Sequence, residues 1–217
     1  MADAVVFDLD GVIVDSEPVW EDVRRAYVAT HGGTWQADTQ RRLMGMSTGE
    51  WSRYLSRELG VDRTAEQVAA EVVEEMTRRY TKRVPVVDGA VEVVHRMAGR
   101  WPLGLASSSP TRLIAAALAA TGLTDAFGAT LSTEETSHGK PAPDVYLAVA
   151  ERLGVDPARC VAVEDSSNGV RSAAAAGMTV VAVPHGSYPL DPAAEQLAAA
   201  VLGEIVELTP ATVDRLA

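Results

Sequence analysis

The 217-residue chain is 47% hydrophobic and carries a formal net charge of −11. That length suits one domain of average size, or one core with an insertion. The acidic balance argues against nucleic acid and anionic membranes as partners, because both select basic patches.

The first predicted element is a buried strand over Ala4–Phe7, an apolar run rich in β-branched residues. No basic region precedes Asp3 and Asp8, so no signal peptide is expected, and no apolar stretch approaches the roughly 18 residues of a membrane span. A cytoplasmic protein fits. Behind the strand come Asp8, Asp10 and Gly11. From about 16 to 84 the pattern is helical throughout. Ser16-Glu17-Pro18 reads as a helix start with Ser16 as N-cap. Ser47 with Glu50, and Thr64 with Gln67, have capping-box spacing. After the second, Val68, Val72, Val73, Met76 and Tyr80 recur at helical spacing. This segment reads as a helical insertion that rejoins the sheet near Val84-Pro85.

Further on, strand and helix alternate. Leu103–Ala106 is a strand, followed by Ser107-Ser108-Ser109-Pro110 and a helix over Thr111–Thr121. A weaker strand signal covers Thr130–Leu131. Gly139-Lys140-Pro141-Ala142-Pro143 precedes a helix over Asp144–Leu153. Val161–Val163 is a strand; the lone cysteine, Cys160, adjoins it, excludes an intrachain disulfide and reads as a buried, inert thiol. Glu164-Asp165 follows, then a helix over Asn168–Ala176 and a strand over Thr179–Val183. Strand then helix, repeated, predicts an α/β doubly wound parallel sheet.

The polar residues behind these strands form a chemical set. Asp8 and Asp10, two apart on a strand exit, point to one side. Asp8 is placed to attack a phosphorus, and Asp10 to protonate a leaving oxygen and then deprotonate water. Ligands collect at strand ends in open α/β sheets; a loop-capping pair is the plainer alternative. Glu164 and Asp165 would bring more carboxylates to the same point. Two like charges at about 4 Å repel by roughly 4 kcal/mol at an effective dielectric near 20, and a divalent cation reverses that sign. Oxygen-only ligands suit Mg²⁺ rather than zinc. Asp165 is the preferred direct ligand, with Glu164 direct or through water; Asp165 or Ser166 can also serve as a helix N-cap. Ser107 and Ser108 can hold a phosphate at a helix start, or simply cap it. Lys140, fixed between a glycine and prolines, can neutralise that phosphate. His31, His95, His138 and His185 lack metal-ligand spacing; only His138, beside the lysine loop, is a candidate for the site. Of the tryptophans, Trp20 lies nearest in sequence to Asp8 and Asp10 and is a candidate substrate contact.

This ordered set resembles the haloacid dehalogenase (HAD) superfamily, whose four motifs match Asp8-x-Asp10, Ser107, Lys140 and Glu164-Asp165. The resemblance implies a HAD-like core over 1–15 and 85–217 and a helical C1 cap domain over 16–84. It implies Asp8 as nucleophile, Asp10 as acid and base, and Ser107 and Lys140 on the phosphate. Asp8, Asp10 through its backbone carbonyl, and Asp165 would surround Mg²⁺. Asp15–Trp20 and Ala106–Pro110 resemble the sugar-phosphate phosphatases, which adds Glu17 and Trp20 as substrate contacts. Beta-phosphoglucomutases carry a histidine where this chain has Trp20, and an arginine where the loop Gly45-Met46-Ser47-Thr48 has Thr48. The expectation is a monomeric, Mg²⁺-dependent phosphatase of a small phosphorylated molecule. A phosphomutase is the nearest rival, and a receiver-like module that holds a phosphoryl group is the non-enzymatic one. No P-loop motif occurs.

Overall fold

The computed structural model describes residues 1–43, 46–184 and 189–216. Gly45 and His185 lie outside the described residues. Six parallel strands form one sheet in the order β3-β2-β1-β4-β5-β6. They are β1 (Ala4–Phe7), β2 (Leu103–Ser107), β3 (Ala129–Ser132), β4 (Cys160–Glu164), β5 (Thr179–Ala182) and β6 (Ala200–Val201). The sheet is the doubly wound α/β architecture expected from the alternation.

β1 is the central strand, and all four of its side chains are buried. It pairs with β2 through Val5↔Leu103 and with β4 through Val5↔Val161. Its alternate residues serve opposite faces, as strand geometry requires. Val5 and Phe7 join one core with the helices α5 (Ala90–Ala98) and α6 (Thr111–Thr121). Ala4 and Val6 join a second core with α7 (Asp144–Leu153) and α8 (Ser167–Ala175). With both faces covered, β1 must be apolar throughout, which is why its run does not alternate with polar residues. Chain direction across the sheet reverses between β1 and β4, and the crevice outside such a switch point is where open α/β sheets bind ligands.

Among the described residues, four helices lie between β1 and α5: α1 (Glu17–Thr30), α2 (Thr39–Leu43), α3 (Thr48–Arg57) and α4 (Ala65–Tyr80). The helical stripe of α4 is buried at Val68, Val72, Val73, Met76 and Tyr80. Both capping boxes form, on Ser47 and Glu50 and on Thr64 and Gln67. The two chain crossings into this segment run side by side. The Asp15 amide donates to the Pro85 carbonyl at 2.9 Å, and the Val87 amide to Ile13 at 3.0 Å. Ser16 does not cap α1. Its backbone is already helical (φ −82°, ψ −25°), so its hydroxyl is not presented to the free amides, and no capping bond forms.

Thr64 and Gln67 satisfy each other's amides at the start of α4, at 3.3 and 3.0 Å. Thr64→Ala should therefore lower stability by about 1 kcal/mol, read as a lower urea midpoint. An unchanged midpoint would show that the cap contributes nothing.

Candidate active site

A cavity of about 450 Å³ opens where the strand ends of β1, β2 and β4 face the helices α1 and α3. Asp8, Asp10, Ser108, Lys140 and Asp165 line it from the sheet side; Glu17, Trp20, Arg24 and Trp51 line it from the helices. Residues more than a hundred positions apart in sequence meet here, and most of the expected site residues are among them.

Asp8 directly follows β1. Its amide donates to the Val163 carbonyl at 2.9 Å, tying the strand exit to β4. Its Oδ1 accepts from the Lys140 ammonium at 2.9 Å. Lys140 also donates to Glu164 Oε1 at 2.6 Å and to the Ala106 carbonyl at 3.0 Å. All three donor positions of the ammonium are thus engaged. Burial works against the Lys140 charge, but Asp8 and Glu164 outweigh it and hold its pKa above the ordinary lysine value.

Asp8 and Asp165 resist ionisation. Burial, with Glu164 and Asp10 adding to it, pushes the Asp8 carboxyl up to about 8 against the pull of Lys140. Burial first, then Glu164 and Asp8, raise Asp165 well above the carboxylate range. Oxygens of Asp8, Glu164 and Asp165 all lie within 4.8 Å of one another. One ammonium among these buried carboxylates leaves surplus negative charge. An all-oxygen donor set with that surplus fits a hard divalent cation.

Glu164 differs from its neighbours in that both of its oxygens already accept hydrogen bonds. Oε1 accepts from Lys140 and, at 2.6 Å, from the Tyr146 hydroxyl. Oε2 accepts from the Asp165 amide at 3.2 Å and the Ser166 hydroxyl at 3.2 Å. The geometry makes Glu164 an anchor for Lys140 and for the loop into α8. Asp165 keeps its carboxylate on the cavity, and Ser166 supplies the N-cap of α8 by accepting from the Gly169 amide at 3.1 Å. Two glycines make room for these acids. Gly11 has φ +78°, and a Cβ there would fall 1.9 Å from Asp165 Oδ2. A Cβ on Gly169 would fall 1.9 Å from Glu164 Oε1.

The Asp10 carboxylate turns away from the cation cluster. Its Oδ2 accepts from Ser107 Oγ at 3.1 Å and Ser109 Oγ at 2.7 Å. Oδ1 is buried without a partner among the described residues. Ser107 is fully buried beneath Asp10, while Ser108 and Ser109 reach the cavity wall. Glu17 is held by Gln40 Nε2 at 2.6 Å, and burial raises its pKa against the pull of Arg24. Trp20 packs on Trp51 with ring centroids 5.8 Å apart. His138 bonds Asp144 at 3.0 Å with a largely exposed side chain and does not line the cavity. Cys160 is buried as expected, with burial raising its thiol to about 11.

Sequence reasoning missed Ser109, Tyr146, Trp51 and Arg24. Ser109 was available as the third hydroxyl of its triplet. Arg24 follows Glu17 and Trp20 at i+7 and i+4, so the three share one face of α1.

The family model for haloacid dehalogenase-like hydrolases matches residues 2–177. The chain belongs to that family and is an enzyme of the hydrolase class. It is 35% identical over 179 residues to a phosphorylated carbohydrates phosphatase of Thermotoga maritima, covering 81% of this chain and 82% of that one. It is 33% identical over 216 residues to hexitol phosphatase B of Escherichia coli K12, covering 95% and 94%. The structure of CbbY from Rhodobacter sphaeroides in complex with phosphate superposes with a TM-score of 0.86 at 23% identity, over 99% of this chain and all of that one, which shows the shared fold. No helix among the described residues is long and apolar enough to cross a membrane.

Gly169→Ala tests the packing of Glu164. The added methyl must displace the anchor of Lys140, so unfolding in urea should lose about 2–3 kcal/mol. A variant as stable as the parent would show that Glu164 is free to move.

Proposed function

We propose that the protein is a Mg²⁺-dependent phosphatase of a small phosphomonoester, with a sugar or sugar-alcohol phosphate as substrate class. The observation that supports this most is the Lys140 ammonium bridging Asp8 and Glu164 beside Asp165, at the β1/β4 switch point. Relatives named as carbohydrate and hexitol phosphatases agree with it.

Asp8 supplies the nucleophile: an oxygen of its carboxylate attacks phosphorus and forms an aspartyl-phosphate. Asp10 protonates the departing alcohol oxygen, then takes a proton from the water that cleaves the acyl phosphate. Ser107 and Ser109 hold one Asp10 oxygen and leave Oδ1 to carry that proton. Lys140 neutralises the phosphoryl oxygens while keeping Asp8 oriented. Asp8 and Asp165, with the Asp10 backbone carbonyl, would hold Mg²⁺, which lowers the cost of ionising Asp8 and offsets phosphate charge. Residues 16–84 act as a cap over 1–15 and 85–217. The paired crossings near 13–16 and 82–87 are its hinges, and closing excludes bulk water.

A phosphomutase is the second reading. Thr48, at the start of α3, cannot clamp a second phosphate as arginine can, but Arg24 brings a guanidinium into the same cavity. A coupled assay separates them. Phosphate release from hexose or hexitol 6-phosphates over many turnovers should far exceed conversion of β-glucose 1-phosphate to glucose 6-phosphate. Isomerisation outrunning phosphate release would establish the mutase. A single turnover that stops at phosphoprotein would establish a phosphoryl-accepting module. Asp8→Asn should fold normally and lose almost all turnover; appreciable multiple turnover would exclude covalent catalysis by Asp8.

The cation leaves a pH signature. The Asp8 pKa rises on folding from 3.8 to about 8. Between those values the native state holds a proton that the unfolded chain has released. Metal-free stability from this group is therefore full at low pH and is lost as pH rises through that window. A cation displaces the proton, so binding strengthens in the same direction. A fixed Mg²⁺ concentration about a hundredfold above the pH 8 Kd should stabilise the protein by about 2–3 kcal/mol at pH 8, read as a higher Tm, and by less at pH 5. A Tm indifferent to Mg²⁺ at both values would exclude the site.

A further inference from the structure

The mechanism above leaves Arg24, a buried charged residue of the cavity, unused. Arg24 is 5% exposed, and its guanidinium lies 4.4 Å from the Trp20 ring centroid and 5.0 Å from that of Trp51. The two indoles fix it in place from α1 and α3. Its Nε is buried without a hydrogen-bond partner among the described residues. Glu17 and Asp10 act on it through space, yet neither forms an ion pair with it among the described residues. The other buried cation of the cavity, Lys140, is fully engaged, and Arg171 is clamped by both oxygens of Asp191 at 2.6 and 2.8 Å.

Arg24 does not stand alone. Thr48 Oγ1, on the same cavity wall, is also buried and unpartnered. Glu17, held by Gln40, presents an acceptor. A fork of donors, a carboxylate acceptor and a hydroxyl that can do either job thus face one space, walled by two indoles. Desolvated polar groups left unpaired are costly, and a ligand that pairs them recovers that cost. A second anion would suit Arg24 but would sit beside Glu17 and close to Asp10. A chain of hydroxyls suits all three, donating to Glu17 and accepting from Arg24, while its C–H faces pack on indole.

We propose that Arg24 is a specificity-determining residue that, with Glu17 and Thr48, selects an uncharged polyhydroxy group on the far side of the phosphoryl group. The proposal rests on the phosphatase reading and narrows its substrate to neutral polyol or sugar monophosphates. It ranks these above bisphosphates, phosphorylated sugar acids and alkyl phosphates.

The test uses the full-length protein with Mg²⁺ and measures kcat/KM on four phosphates of similar length: a hexitol 6-phosphate, a hexonic acid 6-phosphate, a hexyl phosphate and p-nitrophenyl phosphate. The parent should prefer the hexitol phosphate over the hexyl phosphate by about 100-fold, because buried polar groups reject a ligand that cannot pair them. Arg24→Met should cut the ratio of hexitol to p-nitrophenyl phosphate activity by about 100-fold, chiefly through KM, and Arg24→Lys should restore only part of it. A folded Arg24→Met protein with an unchanged ratio overturns the proposal. So does a parent enzyme that favours the hexonic acid phosphate or treats hexitol and hexyl phosphates alike, a comparison that holds even if Arg24→Met fails to fold. Phosphatase activity in which hexitol phosphate turnover does not depend on Arg24 overturns this inference alone; inertness toward all four phosphates overturns the phosphatase reading with it.

Discussion

The Lys140 ammonium is buried, and it stays charged because Asp8 and Glu164 meet it at 2.9 and 2.6 Å. Removing one partner from a buried pair typically costs about 3–5 kcal/mol, since the remaining charge is left unpaired. The surrounding residues are arranged to keep this contact. β1 and β4 run in register so that Asp8 and Glu164 emerge side by side. Tyr146 on α7 holds the second lobe of Glu164 Oε1, and Gly169 leaves room for that carboxylate. The same contact joins stability to chemistry. It orients Asp8, and it leaves Asp165 without a cation of its own, which makes the site receptive to a metal.

Polar groups divide into two kinds across the cavity. On the sheet side they are mostly paired: Lys140, Glu164, Ser107 and Ser109 satisfy one another or the acids. On the helical side Glu17 is held by Gln40, but Arg24 Nε and Thr48 Oγ1 are buried without partners among the described residues. A rigid, satisfied set is what a repeated chemical step needs. An unsatisfied set facing a cavity is what a ligand completes. On the proposed function, these tasks would be divided between the sheet and the segment inserted after its first strand.

Much of this could be read from the chain alone. The strand over Ala4–Phe7 and the helices over Thr111–Thr121 and Asp144–Leu153 coincide with their apolar runs and stops. Each had a strong local pattern, and the HAD resemblance was carried by motifs anchored to those elements. β6 was missed because two residues, one half exposed, carry no periodic signal. Ser16 was misjudged because composition indicates a cap but not the backbone angle that decides it. The roles of Glu164 and Asp10 needed three dimensions. The sequence favours Asp165 as the direct metal ligand but leaves Glu164 direct or through water; only packing shows that Glu164 is already satisfied on both oxygens. No motif distinguishes Arg24 from the other arginines of the helical segment; its place is set by α3, which brings Trp51 against it.

The central claim is that Asp8, ionised beside Lys140 and a bound cation, becomes covalently phosphorylated. The most direct measurement is to quench a single turnover with a radiolabelled sugar phosphate and map the label on the protein. The account predicts transient label on the peptide that contains Asp8, appearing before inorganic phosphate and decaying as it forms. Phosphate release at full rate with no label on that peptide, or with label on another residue, would contradict it.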